Sequence, residues 1–216
     1  MTDILAEFEM NADRIQAVAM SAYMRDQFPF LGIPKPKRAA LSKEFLKNAK
    51  KTQSLDWGFV FECWERPERE FQYLALSYLG AVKDALSPDD IPKLKRLVVS
   101  KSWWDTVDSL DLYIGDIALK HPQVTAIMIE WSTDDNFWLR RIAIDHQLNR
   151  KEKTNPDLLA KIIENNLGQS EFFINKAIGW SLREYSKVAP DWVRTFIADH
   201  RDQMAPLSIK EGSKYI

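Results

Sequence analysis

The run Asn155-Pro156-Asp157-Leu158-Leu159-Ala160-Lys161-Ile162-Ile163-Glu164 decides the fold, because it has counterparts at a fixed distance. Ala189-Pro190-Asp191 opens a similar run 34 residues later, and His121-Pro122-Gln123 stands 34 residues earlier. Pro92 precedes Pro122 by 30. Proline is tolerated in the first turn of a helix, where its missing N–H has no partner to lose, so each of these reads as a helix start. A period in the thirties marks helical hairpins that cannot bury their apolar faces alone and stack on their neighbours into a curved solenoid.

The composition agrees. There are only 7 glycines in 216 residues, Leu, Ala, Ile, Lys and Glu abound, and neither period-two Val/Thr runs nor Asn-Gly or Asp-Gly hairpin signals occur. This predicts an all-α protein with helices near 3–27, 36–50, 56–64, 67–84, 88–99, 103–120, 122–132, 135–149, 156–168, 171–187 and 190–202, joined by short connections. Phe28-Pro29-Phe30-Leu31-Gly32-Ile33-Pro34 is a tight apolar loop. With 45% apolar residues the chain can bury a sizeable core, as a single repeat domain over 1–216 or as two tightly packed halves.

Several classes are excluded at once. One cysteine, Cys63, allows no disulfide framework and no zinc set, and it points to a reducing cytoplasm. His121, His146 and His200 are scattered, and no phosphate-binding glycine loop is present. No apolar run reaches the roughly 18 residues of a membrane span, and Met1-Thr2-Asp3-Ile4 does not begin a signal peptide. Cys63 reads as a small buried hydrophobe, since no local histidine would activate it as a nucleophile.

Thirty basic against 31 acidic residues give a net charge of -1, which argues for no global affinity for nucleic acid. Position tells more. Acids concentrate in residues 1–13 and 62–90, while basic residues group as Lys35, Lys37 and Arg38, as Arg140 and Arg141, as Arg150, Lys151 and Lys153, and as Lys176, Arg183 and Lys187. Charge asymmetry of this kind suits a phosphate groove, although a solvated helix face is the ordinary reading of any one cluster.

The 8 tryptophans are the unusual feature. Ser102-Trp103-Trp104-Asp105 reads as an N-cap followed by an acid at its third helical position. Trp103, Val107, Leu110, Ile114 and Ile117 then form a core stripe. Trp104, Asp108, Asp111 and Gly115 lie about 100° round the helix. Trp104 and Asp108 read either as a rim aromatic and a dipole-stabilised acid, or as a carboxylate beside an aromatic wall, suited to a cationic transition state. Lys176, Trp180, Arg183 and Lys187 share a face outside the core stripe of Ile174, Ile178 and Leu182. Trp180 is there either covered by aliphatic stems or set beside phosphate-binding charges. Arg141 lies off the stripe of Leu139, Ile142 and Ala143, with Asp145 one turn on as a local ion-pair partner.

Longer strings carry a resemblance. Lys101-Ser102-Trp103-Trp104-Asp105-Thr106-Val107-Asp108-Ser109 closely resembles the signature of the AlkD-type alkylpurine DNA glycosylases, the HEAT-like repeat family. So do Ala22-Tyr23-Met24-Arg25, Arg66-Pro67-Glu68-Arg69-Glu70-Phe71-Gln72, Gly115-Asp116-Ile117, Lys176-Ala177-Ile178-Gly179-Trp180 and Ala205-Pro206-Leu207-Ser208, in the same order along nearly the whole chain. The resemblance implies a C-shaped α-solenoid that binds duplex DNA on its concave face. It implies removal of cationic N3- and N7-alkylated purines without flipping the base into a pocket, and no metal or organic cofactor. It places the catalytic carboxylate at Asp108, the two tryptophans flanking the lesion's sugar at Trp104 and Trp180, and an arginine near the lesion phosphate at Arg141. Lys176, Arg183, Arg150, Lys151, Lys35 and Tyr23 are the further DNA-contact candidates, and a monomer is the simplest expectation. The chain departs from the family's basic content at Ala39 and Asn149. A non-catalytic DNA-binding repeat module and a peptide-binding solenoid are the alternatives to an enzyme.

Overall fold

The computed structural model describes residues 3–216, and every regular element among them is a helix. The described residues form two compact units that divide after Leu86. No helix among them is long and apolar enough to cross a membrane.

The first unit holds α1 (Ile4–Met10), α2 (Arg14–Tyr23), α3 (Lys35–Thr52), α4 (Trp57–Glu65) and α5 (Arg69–Ala81). The single helix predicted over 3–27 is two. Asn11 Nδ2 donates to the Glu7 carbonyl at 2.9 Å, and Asp13 Oδ1 accepts from Ile15 N at 3.0 Å and Gln16 N at 3.1 Å. Asn and Asp side chains thus offer the backbone partners other than the helical ladder, ending α1 and capping α2. The apolar loop before α3 is anchored from below. Glu70, fully buried, accepts the backbone N–H groups of Leu31, Gly32 and Ile33 at 2.9, 2.8 and 3.0 Å. Gly32 is required there: its φ is +88°, and a Cβ would collide with the Asp13 carbonyl oxygen. Phe8, Val60, Cys63, Phe71, Leu74 and Leu79 fill the core of this unit.

The second unit holds α6 (Ile91–Val98), α7 (Trp104–Lys120), α8 (Thr125–Trp131), α9 (Phe137–Asp145), α10 (Pro156–Glu164), α11 (Phe172–Ser186), α12 (Pro190–Asp199) and α13 (Pro206–Gly212). The proline reading holds. Pro156 and Pro190 are the first residues of α10 and α12, Pro92 is the second of α6, and Pro122 opens a 3-10 turn that runs into α8. The same device starts α13 at Pro206, a helix beyond the last one predicted. α9 stops earlier than the predicted 149, and Asn149 and Lys151 turn the chain with φ of 64° and 52°. Val107, Leu110, Ile114 and Ile117 of α7 are buried as their spacing requires.

Two local expectations are corrected here. The N-cap of α7 is Trp103, not Ser102, whose hydroxyl instead donates to the Val98 carbonyl at 2.6 Å. Trp103 therefore lies before the helix rather than on its core stripe. It is half-buried in an aromatic cluster, with ring centroids 5.3 Å from Phe173 and 6.1 Å from Trp138.

Candidate active site

α9 packs against both α7 and α11, and close contact between α7 and α9 depends on a glycine. A Cβ on Gly115 would come within 2.5 Å of the His146 carbonyl oxygen. This proximity brings Asp108 on α7 to Arg141 on α9. Arg141 Nε donates to Asp108 Oδ1 at 2.8 Å and Nη2 to Oδ2 at 3.0 Å, a fork-on-fork pair. Nη1 donates to the Phe173 carbonyl at 2.6 Å, and Nη2 lies 3.8 Å from Asp145 Oδ2. The Arg141 side chain is 2% exposed and that of Asp108 28% exposed, so the pair opens outward through the carboxylate. The i,i+4 pair of Arg141 with Asp145 exists, but the closer partner lies on another helix. For the arginine placed near a phosphate by resemblance the structure gives a different surrounding: the guanidinium is buried, and a phosphate would have to draw it from carboxylates that already hold it.

Acids outnumber the guanidinium around this point. Burial, then the neighbouring Asp145 and Asp108, hold Asp111 well above the usual carboxylate range, and its Oδ1 has no hydrogen-bond partner. Its environment thereby disfavours the charged form. Burial likewise pushes Asp145 up to about 7, opposed by Arg141 and by the hydrogen bond that Ser181 Oγ donates to Oδ1 at 3.1 Å. Next along the chain, burial and Arg150 push His146 down to about 3, so it is a neutral, buried histidine.

Trp180 on α11 borders the same guanidinium. Arg141 Cζ lies 5.1 Å from its ring centroid, Lys176 Nζ 5.8 Å and Arg183 Cζ 6.0 Å. The grouping of Trp180 with Lys176 and Arg183 is as the spacing predicts, and Arg141 adds a cation from another helix. Lys187 is set apart, with its ammonium 5.6 Å from the Tyr215 ring and 2.7 Å from Glu184. What sequence spacing missed is Glu211 on α13. Its Oε1 accepts from Lys176 at 2.7 Å and its Oε2 from Arg183 at 2.9 Å, which also holds its own carboxyl below the usual range. The approach again requires a glycine, because a Cβ on Gly179 would stand 2.5 Å from Glu211 Cβ. Proline at 206 and the small residues Gly179 and Gly212 were the available signals.

The other candidates are more dispersed. Trp104 is half-buried one turn before Asp108 on α7. Arg150 is engaged internally, donating from Nη2 to the Gly115 carbonyl at 2.8 Å. Lys151 is exposed and lines a cavity of about 420 Å³ with Asn149, Ser181, Tyr185 and Lys187. Lys35, the first residue of α3, and Tyr23, the last of α2, are exposed residues of the first unit. Burial pushes the Cys63 thiol up to about 12, which leaves it inert as a nucleophile.

The comparisons with known proteins agree with this fold. The family model described as DNA alkylation repair enzyme matches residues 4–216. A solved structure titled a predicted DNA alkylation repair enzyme from Enterococcus faecalis is 38% identical, with 95% of this chain and 96% of that chain covered and a TM-score of 0.86. AlkD2 from Streptococcus mutans shares the helical repeat fold at 19% identity and a TM-score of 0.63, over 84% of this chain and 98% of that one. No curated protein matches. A family match over nearly the whole chain settles the membership: this protein belongs to the DNA alkylation repair enzyme family.

Proposed function

We propose that the protein is a DNA glycosylase that hydrolyses the N-glycosidic bond of cationic N3- and N7-alkylated purines in duplex DNA. The observation that carries this reading is a partly exposed carboxylate, Asp108, held in both oxygens by a buried guanidinium that also borders Trp180. The chemistry follows from charge. An alkylated purine already carries a positive charge and leaves without protonation by a general acid. Cleavage moves that charge onto the deoxyribose, where Asp108 stabilises the oxocarbenium ion and orients the attacking water. Trp104 and Trp180 flank the sugar and add cation–π attraction of roughly 0.5–2 kcal/mol.

Since no acid has to reach the base, nothing requires the base to leave the stack for a pocket, unlike in most glycosylases. The scheme uses no metal or cofactor. Lys176, Arg183, Lys151, Arg150, Lys35 and Tyr23 are assigned to the DNA backbone, where cations fix register without reading sequence. Arg141 is assigned first to Asp108, and to a phosphate only as the carboxylates release it.

The test is release of base from duplexes that differ in lesion charge. The expected outcome is release of 7-methylguanine, with a neutral adduct in the same sequence released far more slowly. Duplex binding without release of either would replace the enzyme by a non-catalytic DNA-binding module. Absence of duplex binding would leave a protein-binding solenoid.

A further inference from the structure

Asp145 follows Arg141 by one turn on α9, and its side chain is 3% exposed. One of its oxygens lies 3.1 Å from Ser181 Oγ, whose single proton is shared with the Ile144 carbonyl at 2.9 Å, and the other lies 3.8 Å from Arg141 Nη2. Asp108 and the Phe173 carbonyl already take one N–H from each of the three nitrogens of Arg141, including both bonds of the bidentate pair, and leave one N–H each on Nη1 and Nη2. A second buried carboxylate beside a guanidinium so occupied costs stability. Its effect falls on Asp108. An isolated Asp108–Arg141 pair has no net charge and offers little attraction to a sugar cation. Two carboxylates on one guanidinium leave the trio net negative, and its exposed edge is Asp108.

We infer that Asp145 is a positioning residue for Asp108: it shares Arg141, so that Asp108 keeps negative charge for the reacting sugar. This rests on the glycosylase reading. The groups that face Asp145 are Arg141 on its own helix, Asp108 and Asp111 from α7, and Ser181 from α11; Arg150 acts on Asp111 beyond them. Burial disfavours charge on Asp111, so the trio's charge is that of Asp108, Asp145 and Arg141. With Asp145 titrating near 7, the trio is neutral on the acid side and negative on the alkaline side. Base release therefore slows as the pH falls through this value. The Ser181 hydrogen bond favours the charged carboxylate, so its removal moves the transition to higher pH.

The experiment is single-turnover release of 7-methylguanine from one duplex by the wild type, Asp145→Asn and Ser181→Ala, across the pH range around 7. All three proteins see the same lesion, so the lesion's own titration cancels. Expected for Asp145→Asn is a rate about 10–100-fold lower at alkaline pH, as for outer partners of reactive metal centres, with unchanged duplex affinity and no transition near 7. Ser181→Ala should keep the alkaline rate and show the transition displaced upward. A wild-type rate and pH profile for Asp145→Asn, or a loss of rate matched by an equal loss of affinity, overturns the inference. If Asp145→Asn fails to fold, an undisplaced transition in Ser181→Ala overturns it. Wild type that releases no base at any pH overturns the glycosylase reading and this inference with it. Release by wild type with unaltered variants overturns the inference alone.

Discussion

Two acidic centres in this protein differ in kind. In the first unit Glu70 is fully buried and accepts three backbone N–H groups, so both of its oxygens are used and its charge is spent on fixing the loop before α3. In the second unit Asp108 is held on one side by Arg141 and is 28% exposed on the other, with Asp145 and Asp111 behind it and more acid than the guanidinium can pair. A closed set of partners makes a structural anion. An open edge and an unbalanced charge make an anion that can act on something outside the fold.

Substitutions can break that contrast. Arg141→Ala has the largest expected effect, because it leaves Asp108 and Asp145 without their cation. Stripping one partner from a buried pair costs about 3–5 kcal/mol, measurable by urea unfolding. The folded fraction should lose base release, and the salt slope of duplex binding should stay near that of wild type. A slope flattened by about one contact would show instead that the guanidinium moves to a phosphate when DNA binds.

Glu70→Gln should cost about 1.5–3 kcal/mol for the weakened charge-assisted bonds to the loop, and leave the release rate of the folded protein unchanged. Loss of release at full stability would make Glu70 more than structural and erase the distinction. Glu211→Gln should cost less stability and acts on duplex binding instead. It frees Lys176 and Arg183 from an internal carboxylate, so duplex affinity should rise and its salt dependence steepen by up to about two contacts. Unchanged affinity would mean that these cations do not face DNA.

A further prediction concerns pH. His146 is depressed from an ordinary 6.5 to about 3, so the stability it contributes is complete above 6.5 and is lost as pH falls toward 3. His146→Leu should make the acid-side decline in unfolding midpoint shallower by about one proton. An identical decline would place the acid sensitivity elsewhere.

Much of the fold was legible because its signals are local. Proline at a first helical position, the 34-residue spacing from Pro122 to Pro156 to Pro190, and the buried stripe of α7 each need only neighbours along the chain. The site was legible to the same depth. The spacing picks out Trp104 with Asp108, and Lys176 and Arg183 about Trp180. What joins them was not legible. Asp108 meets Arg141 33 residues away, and Lys176 meets Glu211 35 residues away. These separations match the repeat, but helix pairing alone does not fix which charged side chains face each other. The break at residues 11–13 was missed for a different reason: Asn11 and Asp13 interrupt an otherwise helical pattern through side-chain bonds that periodicity cannot register.

The central claim is that the open edge of Asp108 acts on the sugar of a cationic lesion, and single-turnover release of 7-methylguanine by wild type and Asp108→Asn tests it most directly. An asparagine keeps the size and one acceptor but not the charge. The expected result is a loss on the order of 10²–10³ in rate with duplex affinity nearly unchanged. Equal release by the two proteins would contradict it.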